Sequence, residues 1–468
     1  MARNFVYDLL AGGQIDGLRT PTTCPKNKHR NAHCRKALHL HSLTLANPPS
    51  IFRYSDVTVN RALLNPPELH ATARPLACNN SNMRTVFTAE RLWDGTRLID
   101  HPIVIVEDGR IISVGPRTAG QAPGEARVID YPRATLGPAF FDVHIHGAAG
   151  HDVMEATPEA LTAMGSFLAS RGTGSYLATT VTAPLDVTLK ALSGLAKLLE
   201  KSTIDGHACP IGIHLEGPFL SHAKRGVQPA QHLLAPDIAV FDRLFDAAEG
   251  HVRLMTVAPE LPGAAELTAH ATGRGVRVSV GHSNATAAET QAVIAAGATS
   301  ATHTFNAMRP LDHREPGILG TVLTTDSLYS ELICDGIHTA PEIMRLWWRA
   351  KGPQRAILVT DAMSAAGMPD GEYSLGGFAV HVADGRAMAR GVLAGSVLTL
   401  DRALSNFVEF TGASVEEGLR ALTSNPAAMT GLADRAGMLA VGQQANFVAV
   451  DAAGKLAASV IGGRVVNR

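Results

Sequence analysis

Two histidines stand one residue apart at the end of an apolar run. Residues 140–150 read F-F-D-V-H-I-H-G-A-A-G, with His144 and His146 just before a loop of small residues. In a strand, residues i and i+2 point to the same face, so the two imidazoles would project side by side. Such a pair suits a metal ion, although two surface histidines in a turn give the same pattern. The pair therefore predicts a metal site only if further ligands occur elsewhere.

Other side chains with metal-ligand chemistry end other apolar runs. Glu216 ends P-I-G-I-H-L-E, His282 ends V-R-V-S-V-G-H, His303 follows T-S-A-T, and Asp361 ends R-A-I-L-V-T-D. Imidazoles and carboxylates together form the ligand sets of hydrolytic divalent-metal sites. If the runs are parallel barrel strands, their C-terminal ends converge on one face, and these residues join the first histidine pair.

The elements that must position these residues are eight short apolar runs between residues 139 and 361. Helix-like stretches lie between them, at 158–171, 185–200, 263–273, 286–297 and 341–350. Near-continuous apolar character is typical of parallel strands buried on both faces. The alternation predicts an α/β fold, a (β/α)8 TIM barrel of residues 137–431, with a doubly wound open sheet as the alternative.

Short strand patterns also occupy both ends of the remaining chain. Residues 83–136 contain alternating runs with Asp108-Gly109 between two of them, which is a strong hairpin signal. Residues 432–468 contain similar short strand patterns, in Q-A-N-F-V-A-V-D and A-A-S-V-I-G-G-R-V-V-N-R. The two segments predict one small β-sandwich domain built from both chain ends.

Residues 1–82 differ from the rest of the chain. They carry ten Lys and Arg against four Asp and Glu, and T-P-T-T-C-P, N-P-P-S and N-P-P-E interrupt any periodicity. We expect a disordered N-terminal extension without the compact apolar core of a secretory signal. Its Cys24, His29, His33 and Cys34 match no standard zinc-finger spacing.

The composition argues against several classes of function. The 468 residues include 41 Lys and Arg against 42 Asp and Glu, for a formal net charge of −1. A near-neutral chain gives no support for a nucleic-acid or membrane-surface partner. No apolar run of 18 residues or more occurs, so no transmembrane helix is predicted. Five cysteines are sparse for this length and favour a reducing, cytoplasmic setting.

The chain resembles the amidohydrolase superfamily, and within it the deacetylases of N-acetylated amino-sugar phosphates. The resemblance runs in order through residues 83–468, and nothing in residues 1–82 matches. Nine segments carry it: H-I-H-G at 144, I-H-L-E-G-P-F at 213, G-H-S-N-A-T at 281, T-H-T-F-N-A-M at 302, R-E-P-G at 314, D-G-I-H at 335, V-T-D-A-M at 359, L-A-G-S at 393 and T-S-N-P-A at 423.

The resemblance implies hydrolysis of N-acetyl-D-glucosamine 6-phosphate to D-glucosamine 6-phosphate and acetate. It implies one or two divalent ions per subunit, such as Zn, Fe or Mn, with Asp361 as the catalytic proton acceptor and donor. The implied metal ligands are His144, His146, Glu216, His282 and His303, with Glu216 bridging. No lysine ends the fourth run, V-R-L-M-T-V-A-P-E, which argues against a bridging carbamylated lysine. The alternatives are an amidohydrolase of cyclic imides or N-acyl amino acids and, in another class, a non-catalytic barrel scaffold.

The resemblance also implies substrate contacts, among which Arg314 and His338 bind phosphate. Arg314 reaches into the site from a neighbouring subunit in the family, which implies a homodimer. The implied contacts are Val227, Asn306, Ala307, Arg314, His338, Leu393, Ala394 and Gly395. Many relatives have a histidine where this chain has Gln228, and an amide cannot become cationic. We therefore expect carbonyl polarisation to depend more on the metal.

Three further features have an alternative, structural interpretation. Cys334 ends an apolar run, which is typical of a core residue rather than a nucleophile. The pair Trp347-Trp348 lies on a predicted helix and favours packing over sugar stacking. His214, two residues before Glu216, either shapes the site or fills the core beside it.

Overall fold

The structure, a computed structural model, describes residues 84–118, 126–200 and 206–466. The strands formed by these residues are β1 (Thr85–Trp93), β2 (Leu98–Asp100), β3 (Pro102–Glu107), β4 (Arg110–Pro116), β5 (Arg127–Pro138), β6 (Phe140–Ile145), β7 (Gly147–Ala148), β8 (His151–Asp152), β9 (Thr173–Thr180), β10 (Cys209–Glu216), β11 (Val252–Val257), β12 (Arg277–Val280), β13 (Ser300–Ala301), β14 (Tyr329–Ile333), β15 (Ala356–Val359), β16 (Gly371–Leu375), β17 (Phe378–Ala383), β18 (Arg386–Ala389), β19 (Val392–Leu393), β20 (Phe447–Val450), β21 (Leu456–Ile461) and β22 (Arg464–Val466). The predicted extension, with Cys24, His29, His33 and Cys34, lies outside the described residues.

The same residues form ten α-helices, none of them long and apolar enough to cross a membrane. They are α1 (Pro158–Ser170), α2 (Leu185–Leu199), α3 (Ile238–Ala247), α4 (Ala264–Gly273), α5 (Ala287–Ala295), α6 (Gly317–Thr324), α7 (Pro341–Arg355), α8 (Leu400–Thr411), α9 (Val415–Leu422) and α10 (Ser424–Thr430). Short 3-10 helices lie at Val153–Glu155, His222–Lys224 and Ala230–His232.

Eight parallel strands form a nearly closed barrel. The strands β6 and β9 to β15 pair in chain order, and the Asp361 N–H donates to the His144 carbonyl at 2.9 Å between the last strand and the first. A doubly wound sheet would instead reverse its strand order at a switch point. The predicted (β/α)8 barrel is therefore confirmed, and the open-sheet alternative is wrong.

The strand period explains how β6 can serve the core and the site together. Val143 and Ile145 lie in the buried apolar clusters of the core, and His144, between them, points to the opposite face. All six residues of β6 are buried. Each strand can thus present polar side chains at the barrel's C-terminal end without losing its apolar packing.

Each of the five predicted helices has a counterpart, and local capping explains where they begin. The Thr157 side chain accepts the Ala160 N–H before α1, and Thr286 and Glu289 form a capping box at α5. The predicted helix at 341–350 continues as α7 to residue 355, across a kink at Gly352. The helices α3, α6, α8, α9 and α10 were not predicted.

Strands from both chain ends form one mixed sheet. Its order is β22-β21-β20-β5-β1-β3-β4, with β2 paired to β1, and β20 joins the two ends by pairing antiparallel with β5. The predicted hairpin connects β3 and β4, and Asp108 and Gly109 have φ of 48° and 74° at its turn. The prediction that both chain ends build one β-structure is confirmed, and its division from the barrel at residues 136 and 432 remains a prediction.

A small antiparallel sheet follows the last barrel strand, and we did not predict it. The strands β16 to β19 pair in chain order between residues 371 and 393. Its buried side is an apolar cluster that includes Leu375, Val380 and Met363. Because Met363 lies just after the last barrel strand, this packing holds the sheet next to the barrel mouth.

Candidate metal centre

The six side chains predicted to bind metal or to catalyse come together at the C-terminal end of the barrel. His144 and His146 belong to or follow β6, Glu216 ends β10, and His282, His303 and Asp361 follow β12, β13 and β15. All six residues are at most 9% exposed. Polar groups buried this far need partners, and these residues find them in one another.

Glu216 lies at the middle of the group and faces all four imidazoles. Its Oε1 is 3.0 Å from His303 Nε2, 3.1 Å from His282 Nε2 and 3.3 Å from His144 Nε2. Its Oε2 is 3.3 Å from His146 Nε2. The Nε2 atoms of all four rings therefore converge on one carboxylate, with different rings at its two oxygens.

Hydrogen bonds on the far side of three rings fix their orientation. The contacts are His144 Nδ1 to Glu331 Oε2 at 3.3 Å, His146 Nδ1 to the Thr179 carbonyl at 3.2 Å, and His282 Nδ1 to the Lys224 carbonyl at 3.0 Å. Because each partner is an oxygen acceptor, a neutral ring that binds a cation would carry its proton on Nδ1 and direct its Nε2 lone pair inward. Metal-binding histidines are held in this way by their surroundings.

Asp361 completes the group from the opposite side. Its Oδ1 lies 3.1 Å from His146 Nε2 and 3.5 Å from His144 Nε2. Gly395 lies against its backbone, where an added Cβ would be 2.9 Å from the Asp361 carbonyl oxygen at a φ of +64°. Only glycine permits that approach without strain, so the loop at 393–396 fits closely beside the carboxylate.

The electrostatics of the group favour added positive charge. Burial lowers the pKa of His144, but Glu216 and Asp361 raise it well above its ordinary value. Burial likewise lowers the pKa of His146, whereas hydrogen bonds to Asp361 and Glu216 raise it to about 9. Burial raises the pKa of Asp361, while His144 and His146 lower it to about 2. A divalent cation would supply this positive charge and leave the imidazoles neutral, so the donor set fits a metal ion.

The ligand atoms form overlapping groups of the size that a metal ion requires. Within each of three groups all ligand atoms lie within 4.8 Å of one another: His144, His146 and Glu216; Glu216, His282 and His303; and His144, His303 and Asp361. Buried clusters of histidine and acidic residues are typical of hydrolytic divalent-metal sites.

Three of these residues also have an unusual backbone conformation. The φ angles are 47° at His282, 26° at His303 and 50° at Asp361. Residues other than glycine rarely occupy the left-handed region, and such strain concentrates at functional sites. The backbone therefore supports a functional role independently of the side-chain contacts.

The group opens on a cavity of about 280 Å³. A cavity that combines apolar walls with a few convergent polar groups is the usual form of a small-molecule site. The predicted residues that line it are His146, Glu216, Val227, His282, His303, Asn306, Ala307, His338, Asp361, Leu393 and Gly395. The lining residues absent from the predicted set are Val181, Gly226, Gln228, Leu375 and Val392.

Three predicted site residues do not line this cavity. His144 is fully buried behind His146. Ala394 is buried under the small sheet, where its N–H donates to the Ala387 carbonyl at 2.9 Å. Arg314 is exposed on the loop before α6, and its guanidinium forms no ion pair with any residue that the structure describes. The surface pairing with Glu315 that would explain Arg314 structurally is therefore not observed.

His338 is held at the cavity by the aspartate that precedes it. Its Nδ1 lies 2.6 Å from Asp335 Oδ2, and Asp335 Oδ1 accepts the N–H groups of Ile337 and His338 at 2.8 Å. Burial raises the pKa of Asp335, but the hydrogen bonds from His338 and Ile337 bring it below its ordinary value. Asp335 is thus an ionised anchor that orients the His338 ring.

Gln228 is bound to the protein at both ends of its amide. Its Nε2 donates to Glu216 Oε2 at 2.8 Å, and its Oε1 accepts the Thr182 N–H at 2.9 Å. The residue is 3% exposed. The amide therefore orients Glu216 with one of its two N–H donors.

The structural interpretations of two other features are confirmed. Cys334 is fully buried beside Met344, and Trp347 is fully buried with its Nε1 donating to Ser330 Oγ at 2.7 Å. His214 is also fully buried and hydrogen-bonds Thr256 Oγ1 at 2.8 Å. Its ring centroid lies 4.7 Å from that of His144, so it packs beneath the metal ligands.

Comparisons with known proteins agree with this arrangement. The model of the Amidohydrolase family matches residues 135–466. The chain is 37% identical over 370 residues to N-acetylgalactosamine-6-phosphate deacetylase of Escherichia coli O157:H7, covering 79% of this chain and 96% of that protein. It is 37% identical over 356 residues to N-acetylglucosamine-6-phosphate deacetylase of Bacillus subtilis (strain 168), covering 75% and 89%.

A solved structure is similar over the same region. It is a mutant of N-acetyl-D-glucosamine-6-phosphate deacetylase from Mycobacterium smegmatis in complex with N-acetyl-D-glucosamine-6-phosphate. It shares 34% sequence identity and a TM-score of 0.76 with this chain, and the match covers 82% of this chain and 100% of that one.

Proposed function

We propose that this chain, which belongs to the amidohydrolase family, hydrolyses N-acetyl-D-glucosamine 6-phosphate to D-glucosamine 6-phosphate and acetate. The observation that carries the proposal is the convergence of four imidazole Nε2 atoms on Glu216 beside Asp361, at the floor of a small-molecule cavity. An acetamide resists hydrolysis because its nitrogen donates into the carbonyl and amine is a poor leaving group. A site for this reaction must therefore activate water, polarise the carbonyl and protonate the nitrogen.

The proposed centre holds one or two divalent cations per subunit. When bound, such a cation polarises a carbonyl and lowers the pKa of water towards about 7. His144, His146 and Glu216 would hold one ion, and Glu216, His282 and His303 the other. Glu216 belongs to both groups, which supports a bridging role for this carboxylate.

Asp361 is the proposed proton carrier. Its low pKa means that it is ionised at neutral pH and can only accept hydrogen bonds. It lines the cavity, so it can take a proton from water and return it to the departing nitrogen. One carboxylate then serves both proton transfers.

The carbonyl oxygen depends mainly on the cation in this proposal. One N–H and the oxygen of the Gln228 amide are taken by Glu216 and Thr182, and a neutral amide cannot become cationic. Gln228 instead keeps Glu216 in the orientation that the metal ligands require. Only the second N–H of the amide is left for a substrate contact.

The phosphate is proposed to bind His338 and, from a second subunit, Arg314. His338 lines the cavity of its own chain. Arg314 is exposed, does not line that cavity and has no acidic partner among the described residues. Its guanidinium is therefore available to contact a phosphate in a neighbouring subunit. An arginine fork matches a phosphate through charge-assisted hydrogen bonds. We therefore propose a homodimer with shared active sites.

The remaining substrate contacts and the cellular compartment are also proposed. Val227, Asn306, Ala307, Leu393 and Gly395 line the cavity and would contact the sugar or the acetyl group. We propose that the protein is located in the cytoplasm. Cys334 is a buried free thiol, which suits a reducing compartment.

A second candidate substrate is N-acetyl-D-galactosamine 6-phosphate. The similarity to the Escherichia coli deacetylase of that sugar favours it, at an identity equal to that of the Bacillus subtilis protein. The two sugars differ only in configuration at C4, away from both the amide and the phosphate. The metal centre and the phosphate contacts would serve either one.

Acetate release tests the proposal directly. The metal-replete protein is incubated with each 6-phosphate and with unphosphorylated N-acetylglucosamine, and acetate and free amine are measured. We expect equimolar products from a phosphorylated sugar, with kcat/KM about 100-fold or more above that for the unphosphorylated sugar, because charge-assisted phosphate contacts are lost. Release from the galactosamine compound alone would assign the second candidate. No release from either phosphate would reject both, and cyclic imides and N-acyl amino acids would then be tested.

A further inference from the structure

Glu331 is a buried carboxylate in the barrel core that lies outside the predicted set of site residues. It stands in β14, the seventh barrel strand, with zero exposure. Its one ion pair among the described residues is with His144. A carboxylate in an apolar core costs several kcal/mol unless charge and hydrogen bonds compensate for the loss of water. The carboxylate at this position therefore calls for an explanation.

One oxygen of Glu331 contacts two of the proposed metal ligands. Its Oε2 lies 3.3 Å from His144 Nδ1 and accepts the backbone N–H of His303 at 3.2 Å. The two histidines belong to two ligand groups that share Glu216, and they also occur together in the third group with Asp361. Both distances are at the long end of the hydrogen-bond range, so one oxygen is shared between them.

The neighbouring rings show why a carboxylate matters here. His146 and His282 donate their Nδ1 protons to backbone carbonyls, which are present whatever the sequence. For His144 the partner is a side chain, so its orientation depends on residue 331. A carboxylate also makes the ring a stronger donor of electrons to a cation than a carbonyl does.

We infer that Glu331 is a positioning residue that fixes the tautomer of His144 and the backbone at His303, and thereby couples the two halves of the metal centre. The inference rests on the metal centre of the proposed function and concerns ion affinity rather than the identity of the sugar. Glu331 touches neither the cavity nor the reacting groups.

Two substitutions separate its charge from its hydrogen bonds. E331Q keeps the shape and one acceptor oxygen but removes the charge, and E331L removes both. L332V, on the same strand with its side chain on the opposite, apolar face, is the matched control. Zinc affinity is measured by competition with a chromophoric chelator, zinc content by elemental analysis, and unfolding of the metal-free proteins in urea.

The two variants are expected to differ in stability more than in the direction of their affinity change. E331L should bind zinc about tenfold or more weakly, as expected when the partner of a metal-binding histidine is removed. Its metal-free form should also lose stability, because the His144 ring N–H and the His303 backbone N–H are left without an acceptor. E331Q should lose about threefold or more, since a neutral acceptor bonds less strongly than a charged one. L332V should bind zinc as the parent does.

The inference is overturned if both glutamate variants bind zinc within twofold of the parent. It is also overturned if E331Q binds zinc as the parent does and only E331L loses affinity, together with metal-free stability, because a purely structural role predicts that result. If E331L does not fold, the isosteric E331Q decides by its affinity alone. A parent that binds zinc but releases no acetate from either sugar rejects the proposed function and leaves this test intact, whereas a parent that binds no zinc rejects both.

Discussion

Replacing Asp361 by asparagine tests the catalytic assignment most directly, because the variant keeps the shape and loses the basicity. The backbone at this position should not move. The Asp361 N–H donates to the His144 carbonyl at 2.9 Å, and its own carbonyl accepts the Ser396 N–H at 2.7 Å. Any change in rate then reports on the side chain rather than on the fold.

The expected magnitude follows from what Asp361 contacts. If it only positioned His146, across 3.1 Å, the substitution would remove one hydrogen bond, about 1–3 kcal/mol for a charged partner. Loss of a proton carrier instead lowers kcat by about 10² to 10⁴, or about 2.7 to 5.4 kcal/mol. Because substrate affinity does not depend on proton transfer, KM should change little.

The assay is acetate release at saturating phosphorylated sugar, with the metal content of each variant measured in parallel. We expect the Asp361→Asn protein to keep its metal, since Glu216 and the four histidines remain, and to lose at least about 100-fold in kcat. A kcat within threefold of the parent at equal metal content would refute the role of Asp361. A proportional loss of metal and activity would instead make it a ligand.

Four further predictions concern the phosphate, the metal, the N-terminal segment and acid stability. Arg314→Ala should lower kcat/KM by about 2–4 kcal/mol for the phosphorylated sugar and scarcely change it for N-acetylglucosamine; an equal loss on both would mean that Arg314 supports the fold. Replacing His144 and His146 together by alanine should lower the bound metal from two ions per subunit to one, and elemental analysis showing one ion in both proteins would contradict the two-ion proposal. Deleting residues 1–82 should leave a folded, active enzyme, as judged by solubility and acetate release. Asp335→Asn should lower the free energy of unfolding by about 1–3 kcal/mol at pH 7. Because the folded pKa of Asp335 is lowered, its contribution is present above the unfolded value of about 3.9 and fades as the pH falls below it, so urea unfolding at about pH 7 and about pH 3 should show the difference shrinking.

Much of the barrel could be predicted because its signals are local. An apolar strand that alternates with a capped helix specifies a βα unit, and the ends of parallel strands converge whatever the loops do. For this reason Glu216 and His303, 87 residues apart in sequence, could be assigned to one site before their 3.0 Å contact was seen.

Elements stabilised from a distance could not be predicted in the same way. The helix α6 reads G-I-L-G-T-V-L-T, which resembles a strand or a loop more than an amphipathic helix. Nearly all of it is buried, and Lys351 from α7 donates to the carbonyls of Val322 and Thr325 at its end. Tertiary packing therefore overrides weak local preference. The small sheet at 371–393 was not predicted, although its sequence contains two turn signals, Gly376-Gly377 and Asp384-Gly385.

The active-site residues differ in the same way: some can be identified from the sequence, and others only from the folded chain. Ligands at strand ends follow from the fold, because strand register fixes where their side chains point. Gln228 and Leu375 come from loops or a surface sheet, so only the folded chain shows that one holds Glu216 and the other lines the cavity. Glu331 stands between these cases. A charged residue inside the apolar run S-E-L-I-C was a visible anomaly, and the strand period allowed it to face inward. Its partner on another strand was needed before that anomaly could be understood as part of the metal centre.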